Sequence, residues 1–541
     1  FGPREAQELG WVDGLADSVD ALKSMALAWI DANPDAMQPW DRRDYRLPGG
    51  TPASPKIAAM IAVAPAALAQ KTRGLYPATQ AILETMVEGA LVDYDTATRL
   101  ESRKLAKVMV GQTAKNMIQA FFFDLNAIRS GQARPKGVAS WRPAKVGILG
   151  AGMMGAGIAH ANAARGIACV LKDVSAEKAA AGIAAIRKVT AGQVKRGALD
   201  EVREAKLLAL VVPSADARAL DGCDLIVEAV FENRALKAEV TREAEPMLAP
   251  DGVFASNTST LPITGLAAAS RRPERFVGLH FFSPVHKMKL VEIIRGKQTS
   301  DETLARAYDY VIALGKTPIV VNDSRGFFTS RVFGTYVMEG AAMLAEGIAA
   351  PLIEHAALAA GMPVGPLAVL DETSLALSVH VLEQTRADWQ AEGRQHVPSA
   401  GEVLVEKMVK ELGRPGRAGG GGFYDYPAGE SKRLWPGLAT NFARPGVDVD
   451  IATLKQRLLY RQSIETARCL AEGVLRSVAG ANIGSIFGIG FPAWTGGAIQ
   501  FIASEGRERF LANAAVLAAR HGERFAFSAE TLSLALDRNA A

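Results

Sequence analysis

From residue 145 onward, short apolar runs alternate with longer stretches of mixed polarity. The runs at 146–149, 168–171, 223–229, 252–256, 276–282, 289–294 and 317–321 are bounded by Gly, Pro, Ser, Asn and charged residues. Their length and apolar character predict buried strands. The stretch 176–210 is amphipathic and predicts a helical hairpin over the sheet. Strand alternating with helix predicts a mainly parallel, doubly wound α/β sheet, whose ligands collect beyond the strand ends.

Elsewhere the pattern is helical. Residues 3–9 and 18–32 predict two helices, and 34–55, rich in Pro, Gly and charge, predicts a connector. A helix begins at Pro77 and breaks at 89–93. The next is expected to run from Asp95 as N-cap to Ile128, with Phe121, Phe122 and Phe123 as packing residues rather than a lipid-binding patch. Residues 130–143 have linker composition. Beyond Arg325 one helix is expected over 326–346, then a turn at Pro363, Gly365 and Pro366. The segment 416–426 (GRAGGGGFYDY) lacks the Lys-Ser/Thr pair of a phosphate loop and is expected to be a flexible loop ending a domain. Arg331 and Glu346 are 15 residues apart, as are Arg457 and Glu472, and each copy runs into a Gly/Pro segment. That repeat predicts a duplicated all-helical domain.

At 541 residues the chain exceeds a single core and suits about three or four domains. The pattern divides it at 1–55, 56–142, 143–325, 326–430 and 450–541. Its 49% hydrophobic and 22% charged residues are ordinary for a soluble globular protein. The formal charge of +4 suits an anionic ligand or a merely solvated surface, and no basic cluster points to nucleic acid. Cys169, Cys223 and Cys469 form no CxxC pair, so neither a disulfide framework nor a metal site is expected, and a reducing, cytoplasmic compartment fits. The apolar stretches at 57–69 and 356–370 are too short or too broken for membrane spans. The opening FGPREAQELG is not a signal peptide, and it starts in mid-pattern as a fragment would.

The most specific chemical signal is 145–173, which reads strand, glycine turn, small-residue helix, strand, acid. Gly150 permits a tight turn, Gly152 lets backbone approach a pyrophosphate, and Gly155 allows close helix–strand packing. Amides at the helix start face the phosphates. Asp173 can accept from a ribose 2′-hydroxyl and would repel a 2′-phosphate, so NAD is expected over NADP. Later strands carry Ser259, His280 and Glu292. A carboxylate bonded to imidazole fixes its tautomer, as a base for an alcohol needs. The alternatives are a satisfied core histidine and an outward-pointing glutamate.

GAGMMGAGIA, IVEAVFEN, FASNTSTLPIT, GLHFFSPVHKMKLVEII and DSRGFFTSR occur in the order characteristic of 3-hydroxyacyl-CoA dehydrogenases, and the resemblance covers nearly everything from Lys145 on. FGPREAQELGWVDGLA resembles the tail of an enoyl-CoA hydratase (crotonase) domain. Together with the helical repeat, the chain resembles α-subunits of bacterial multifunctional fatty-acid β-oxidation enzymes. The resemblance implies a Rossmann-type NAD-binding domain followed by duplicated dehydrogenase C-terminal domains. It implies NAD-dependent oxidation of L-3-hydroxyacyl-CoA, with His280 as base, Glu292 as its partner and Ser259 near the reacting oxygen and nicotinamide. Gly150, Gly152, Met154, Gly155 and Asp173 would hold the pyrophosphate and ribose, and Val230, Phe231, Glu232 and Lys237 the cofactor's other end. Ser283 and Ser330 stand where many relatives have Asn, and would contact cofactor and substrate respectively. A thiolase β-subunit is the implied partner, in an α2β2-type assembly. Hydratase chemistry belongs to the parent chain, because its oxyanion hole and two glutamates lie upstream. Two rivals stand against this reading: a 6-phosphogluconate-type dehydrogenase, which needs a lysine later than Lys316, and a silent scaffold, which would lack His280 or Glu292.

Overall fold

The computed structural model describes residues 2–537 apart from 445 and 448. It forms two compact units, divided between Val108 and Met109. The first unit holds the helices Pro3–Glu8, Val19–Ala32, Pro55–Thr72, Pro77–Gly89 and most of Tyr94–Met109. It contains no strand and no buried residue among those described. Ser18 opens the second helix by accepting from the Ala21 amide, the expected Ser cap. The fourth ends at Gly89, as its pattern indicated, but Asp93 and not Asp95 caps the next, accepting from the Thr96 amide at 2.9 Å. That helix also stops short of Ile128. Gly111 takes an extended conformation, and the chain resumes as Gln112–Ile118, a wide turn at Gln119–Asp124, and Leu125–Arg129. Apolar spacing carries across the break, so periodicity alone merged the pieces.

The second unit is built on an eight-stranded sheet: β1 (Lys145–Leu149), β2 (Ala168–Lys172), β3 (Val211–Ser214), β4 (Cys223–Glu228), β5 (Leu248–Ser256), β6 (Phe276–Phe281), β7 (Leu290–Arg295) and β8 (Thr317–Asn322). Its order is β3-β2-β1-β4-β5-β6-β7-β8, parallel throughout except between β6 and β7. The doubly wound expectation holds, with Ala176–Lys195 and Glu201–Ala209 as the hairpin. The edge strand β3 went unread because it is short and contains Pro213, which an edge tolerates.

Side chains alternate across the sheet. Val277, Leu279 and Phe281 face one core, with Val291 and Ile293, while Phe276, Leu290 and Ile294 face the other. His280 and Glu292 fall in the second set by their period of two. That core continues through Ile319, Phe327, Phe328 and Val332 into the helices.

The helices are Thr329–Ala345, Ala350–Ala360, Pro366–Thr373, Leu375–Ala391, Ala400–Lys410 and the short Gly437–Phe442, then Ile451–Ala471, Val478–Ile489, Ala498–Glu505, Arg507–His521 and Ala529–Asp537. The glycine-rich segment at 416–426 is not a loose loop. Phe423 is fully buried, the Phe423 and Tyr424 amides donate to Asp371 at 2.8 Å, and Tyr424–Asp425 pairs with Arg433–Leu434. Its glycines let backbone pack against a carboxylate: a Cβ on Gly422 would lie 2.0 Å from Asp371 Oδ1.

The two copies of the repeat meet reciprocally. Arg331 donates through Nε to Glu465 and through its fork to Glu472, while Arg457 donates through Nε to Glu339 and through its fork to Glu346. Each arginine thus reaches the acids eight and fifteen positions along the opposite copy. No helix among the described residues is long and apolar enough to cross a membrane.

Candidate active site

The glycine turn leaves β1 with Gly150 at φ +94°, where a Cβ would meet the Ala229 carbonyl at 2.8 Å. A Cβ on Gly155 would lie 1.8 Å from the Gly150 oxygen, whereas one on Gly152 would meet nothing within 4 Å. Two glycines are therefore demanded by packing, and the third borders open space beside the first amides of Met153–Ala163. That is a cradle shaped for a pyrophosphate, and it fits a dinucleotide. Met154 packs partly against the core beneath. Asp173, at the end of β2, accepts from the Ala151 and Val174 amides at 2.7 Å, which pins its carboxylate at the rim of the turn. Ser283 lies exposed at the same mouth, its Oγ 3.5 Å from Met153 Sδ.

Beyond β4 the network is more tightly bonded than the sequence suggested. Glu228, almost wholly buried, accepts from Lys237 Nζ at 2.8 Å, Ser256 Oγ at 2.6 Å and the Val230 amide at 2.8 Å. Val230 is half-buried and Phe231 exposed. Glu232 accepts from Thr258 Oγ1 at 2.6 Å and from the Ser259 and Thr260 amides at 3.0 and 3.2 Å, and pairs with Lys237 at 3.2 Å. Burial pushes the Glu232 carboxyl up, but Lys237 and these hydrogen bonds outweigh it and hold the carboxyl below its ordinary range. Glu232 therefore fastens the turn that carries Ser259, and Lys237 is the buried cation that balances Glu228 and Glu232.

At β6 and β7 the antiparallel register sets His280 directly opposite Glu292. His280 Nδ1 lies 3.0 Å from Glu292 Oε2, inside a site where the glutamate is fully buried. With a carboxylate at Nδ1, that nitrogen carries the proton and Nε2 keeps its lone pair. Oε1 of Glu292 accepts from the Phe328 and Thr329 amides at 3.0 and 3.1 Å, and Oε2 also accepts from Thr329 Oγ1 at 2.5 Å. Four donors thus hold one carboxylate. The Phe282 ring stands 4.4 Å from the imidazole, and Asn257 Oδ1 receives the Phe281 amide at 2.8 Å, clipping β6 to the end of β5.

Ser259 and Ser330 line one cavity of about 990 Å³, which reaches between the end of the sheet and the helices. Glu228, Asn257, Thr258, Phe328 and Thr329 were not singled out from sequence. Only the Ser/Thr/Asn density of FASNTSTLPIT hinted at the capped turn. The position of Lys316 speaks against the 6-phosphogluconate rival: its Nζ is spent on the Val285 and Met288 carbonyls at 2.6 and 2.7 Å, and burial pushes its pKa down to about 8.

Residues 145–324 match the family profile "3-hydroxyacyl-CoA dehydrogenase, NAD binding domain", and residues 326–426 match "3-hydroxyacyl-CoA dehydrogenase, C-terminal domain". A relative from Shewanella amazonensis named fatty acid oxidation complex subunit alpha is 32% identical over 99% of this chain and 75% of its own. Among solved structures, 3-hydroxybutyryl-CoA dehydrogenase from Escherichia coli is similar at TM-score 0.62 and 26% identity, covering 74% of this chain and all of that one. The dehydrogenase part of multifunctional enzyme 1 from C. elegans shares the fold at TM-score 0.56 and 23% identity, over 78% of this chain and 99% of that one. The chain belongs to the 3-hydroxyacyl-CoA dehydrogenase family, as an NAD-dependent enzyme.

Proposed function

We propose that His280 and Glu292 are the catalytic pair for oxidation of L-3-hydroxyacyl-CoA to 3-ketoacyl-CoA in fatty-acid oxidation. The carrying observation is the buried 3.0 Å contact between them, on the sheet face that continues into the helices. Nε2 of His280 takes the 3-hydroxyl proton, and Glu292 stabilises the resulting imidazolium without itself becoming protonated. Its four donors hold that carboxylate in place. Ser259 donates its hydroxyl to the reacting oxygen, held in place by Glu232. When bound, NAD accepts the hydride from C3. Backbone at Gly150, Gly152, Met154 and Gly155 receives its pyrophosphate and Asp173 its adenine ribose. Val230 and Phe231 border the other end, Glu232 and Lys237 acting there through the 258–260 turn. Ser283 serves the cofactor mouth and Ser330 the substrate.

The same reading divides the chain into a hydratase-like tail and connector (1–55), linker helices (56–142), the NAD-binding domain (143–325), and first (326–430) and second (450–541) helical copies. The relative's name supports an α-subunit of a fatty acid oxidation complex; that its partner is a thiolase β-subunit and that the parent chain also hydrates enoyl-CoA follow from the sequence resemblance. Co-elution with a thiolase on size exclusion supports that partner, and separate elution removes it. The chemistry is tested by NADH formation from 3-hydroxyacyl-CoA thioesters. The assignment requires Glu292→Gln to lower kcat by ~10²-fold or more. Retention of wild-type kcat would overturn it.

A further inference from the structure

The hairpin that carries His280 and Glu292 is closed by the loop 282–289, between β6 and β7. Phe282 opens that loop beside the imidazole, Ser283 stands at the cofactor mouth, and Val285 is buried against the nucleotide helix Met153–Ala163. The fit at the helix is close: a Cβ on Gly157 would lie 2.8 Å from Val285 Cγ2. Within the loop, the Lys287 and Met288 amides both return to the Pro284 carbonyl, at 2.9 and 3.1 Å. The carbonyls of Val285 and Met288 are taken from outside it, by Lys316, whose Nζ donates to both.

The backbone fixes Lys316 for this contact. It follows the helix Asp301–Ala313, whose end is wound off by the Gly315 amide donating to the Ile312 carbonyl and the Lys316 amide to that of Val311. The next residue, Thr317, begins β8 opposite Leu290 of β7. The half-buried side chain lies in cationic surroundings. Arg165, just beyond the nucleotide helix, donates to the Leu314 carbonyl; His160 is buried within that helix; His286 is exposed on the loop, with Lys287 and Arg196 acting on it. Among the described residues, no carboxylate acts on Lys316, His160 or His286. Burial first, and Arg165 second, push the Lys316 ammonium down to about 8. An ammonium without a counter-charge costs stability, and the two loop carbonyls are what offset it here.

We infer that Lys316 is a positioning residue for the cofactor: its ammonium holds the 282–289 loop against the nucleotide helix, so that NADH affinity depends on its charge. The inference rests on the reading above that places NAD at the glycine turn with Ser283 at its mouth. Loss of the proton leaves a neutral amine and weaker bonds, and the loop that carries Ser283 and Val285 loosens from the helix. The direction follows from the depressed value. The clamp is complete below about 8 and weakens as pH rises through it, so NADH binds less tightly on the alkaline side.

The test is the dissociation constant for NADH, read by fluorescence titration of the whole chain from about pH 7 to about pH 9.5. The wild type is expected to lose about ten-fold in affinity across that range, the scale of the difference between charge-assisted and neutral bonds. Lys316→Met is expected to bind weakly and equally throughout, because it has no charge to lose. Lys316→Arg, which stays charged over the whole range, is expected to be equally flat, whatever its absolute affinity. A lysine that merely fills space would not tie the slope to position 316. A wild-type constant that changes by less than about two-fold overturns the inference. So does a slope in Lys316→Arg or Lys316→Met as steep as that of the wild type. Wild-type protein that binds no NADH at any pH would remove the cofactor reading itself, and this inference with it.

Discussion

The two copies of the helical repeat share a motif and a reciprocal contact, yet it is the first that bonds Glu292 of the proposed catalytic pair. In the first, the residues leading into and opening the helix Thr329–Ala345 turn their Phe328 and Thr329 amides onto Glu292, and Ser330 faces the cavity. In the second, the helix starts at Ile451, and Lys455 and Gln456 stand where the first copy has Thr329 and Ser330. The arginines diverge as well. Arg457 is fully buried, whereas about a quarter of the Arg331 side chain remains exposed along the cavity. The same scaffold is therefore used twice for different ends: the first copy bonds Glu292, while the second braces the first and adds Arg461, Glu465 and Glu472 to the cavity lining.

The largest break in this comparison comes from Arg457→Met. It leaves Glu339 and Glu346 inside the contact with Arg524 as their remaining guanidinium partner, and is expected to cost about 3 kcal/mol in urea unfolding. A loss within experimental error of zero would deny the bracing role. Thr329→Val removes one donor from Glu292 and keeps the shape. It is expected to lower kcat about ten-fold while the unfolding midpoint stays near wild type. Unchanged kcat would show that the two amides and His280 suffice to fix the carboxylate.

Much of this division is legible in sequence, but its decisive contacts are not. The spacing of Arg331 and Glu346 against Arg457 and Glu472 exposed the repeat, and the 12-residue separation of His280 and Glu292 across two neighbouring strand segments allowed their side chains to meet. Apolar runs located seven of the eight strands. What pattern could not supply was partners distant in the chain. Thr329 looks like an ordinary helical residue until Glu292, 37 positions away, is seen to accept from it. Nothing in the run of residues around Lys237 announces that its ammonium is bonded to the buried Glu228 and paired with Glu232. The glycines at 416–426 suggested looseness because Asp371, which accepts from the Phe423 and Tyr424 amides that follow them, is remote in sequence.

Two smaller effects sharpen the contrast. Arg331→Met is expected to cost about 1 kcal/mol, less than its counterpart, because its site is partly solvated and Glu465 retains Arg468. Here kcat/KM should fall several-fold, since the guanidinium anchors the helix beside Ser330. A stability loss equal to that of Arg457→Met would erase the asymmetry. Lys455→Ala, the positional counterpart of Thr329→Val, is expected to leave kcat within about two-fold and stability within about 0.5 kcal/mol. A ten-fold loss of activity there would place the second copy at the reaction after all.

The central claim is that the imidazole of His280, oriented by Glu292, takes the substrate proton. It is tested most directly by His280→Gln, with steady-state turnover and NADH affinity measured on the same preparation. The account requires turnover to fall by ~10³-fold or more while the dissociation constant for NADH stays near wild type. Turnover close to wild type with NADH binding intact would contradict it.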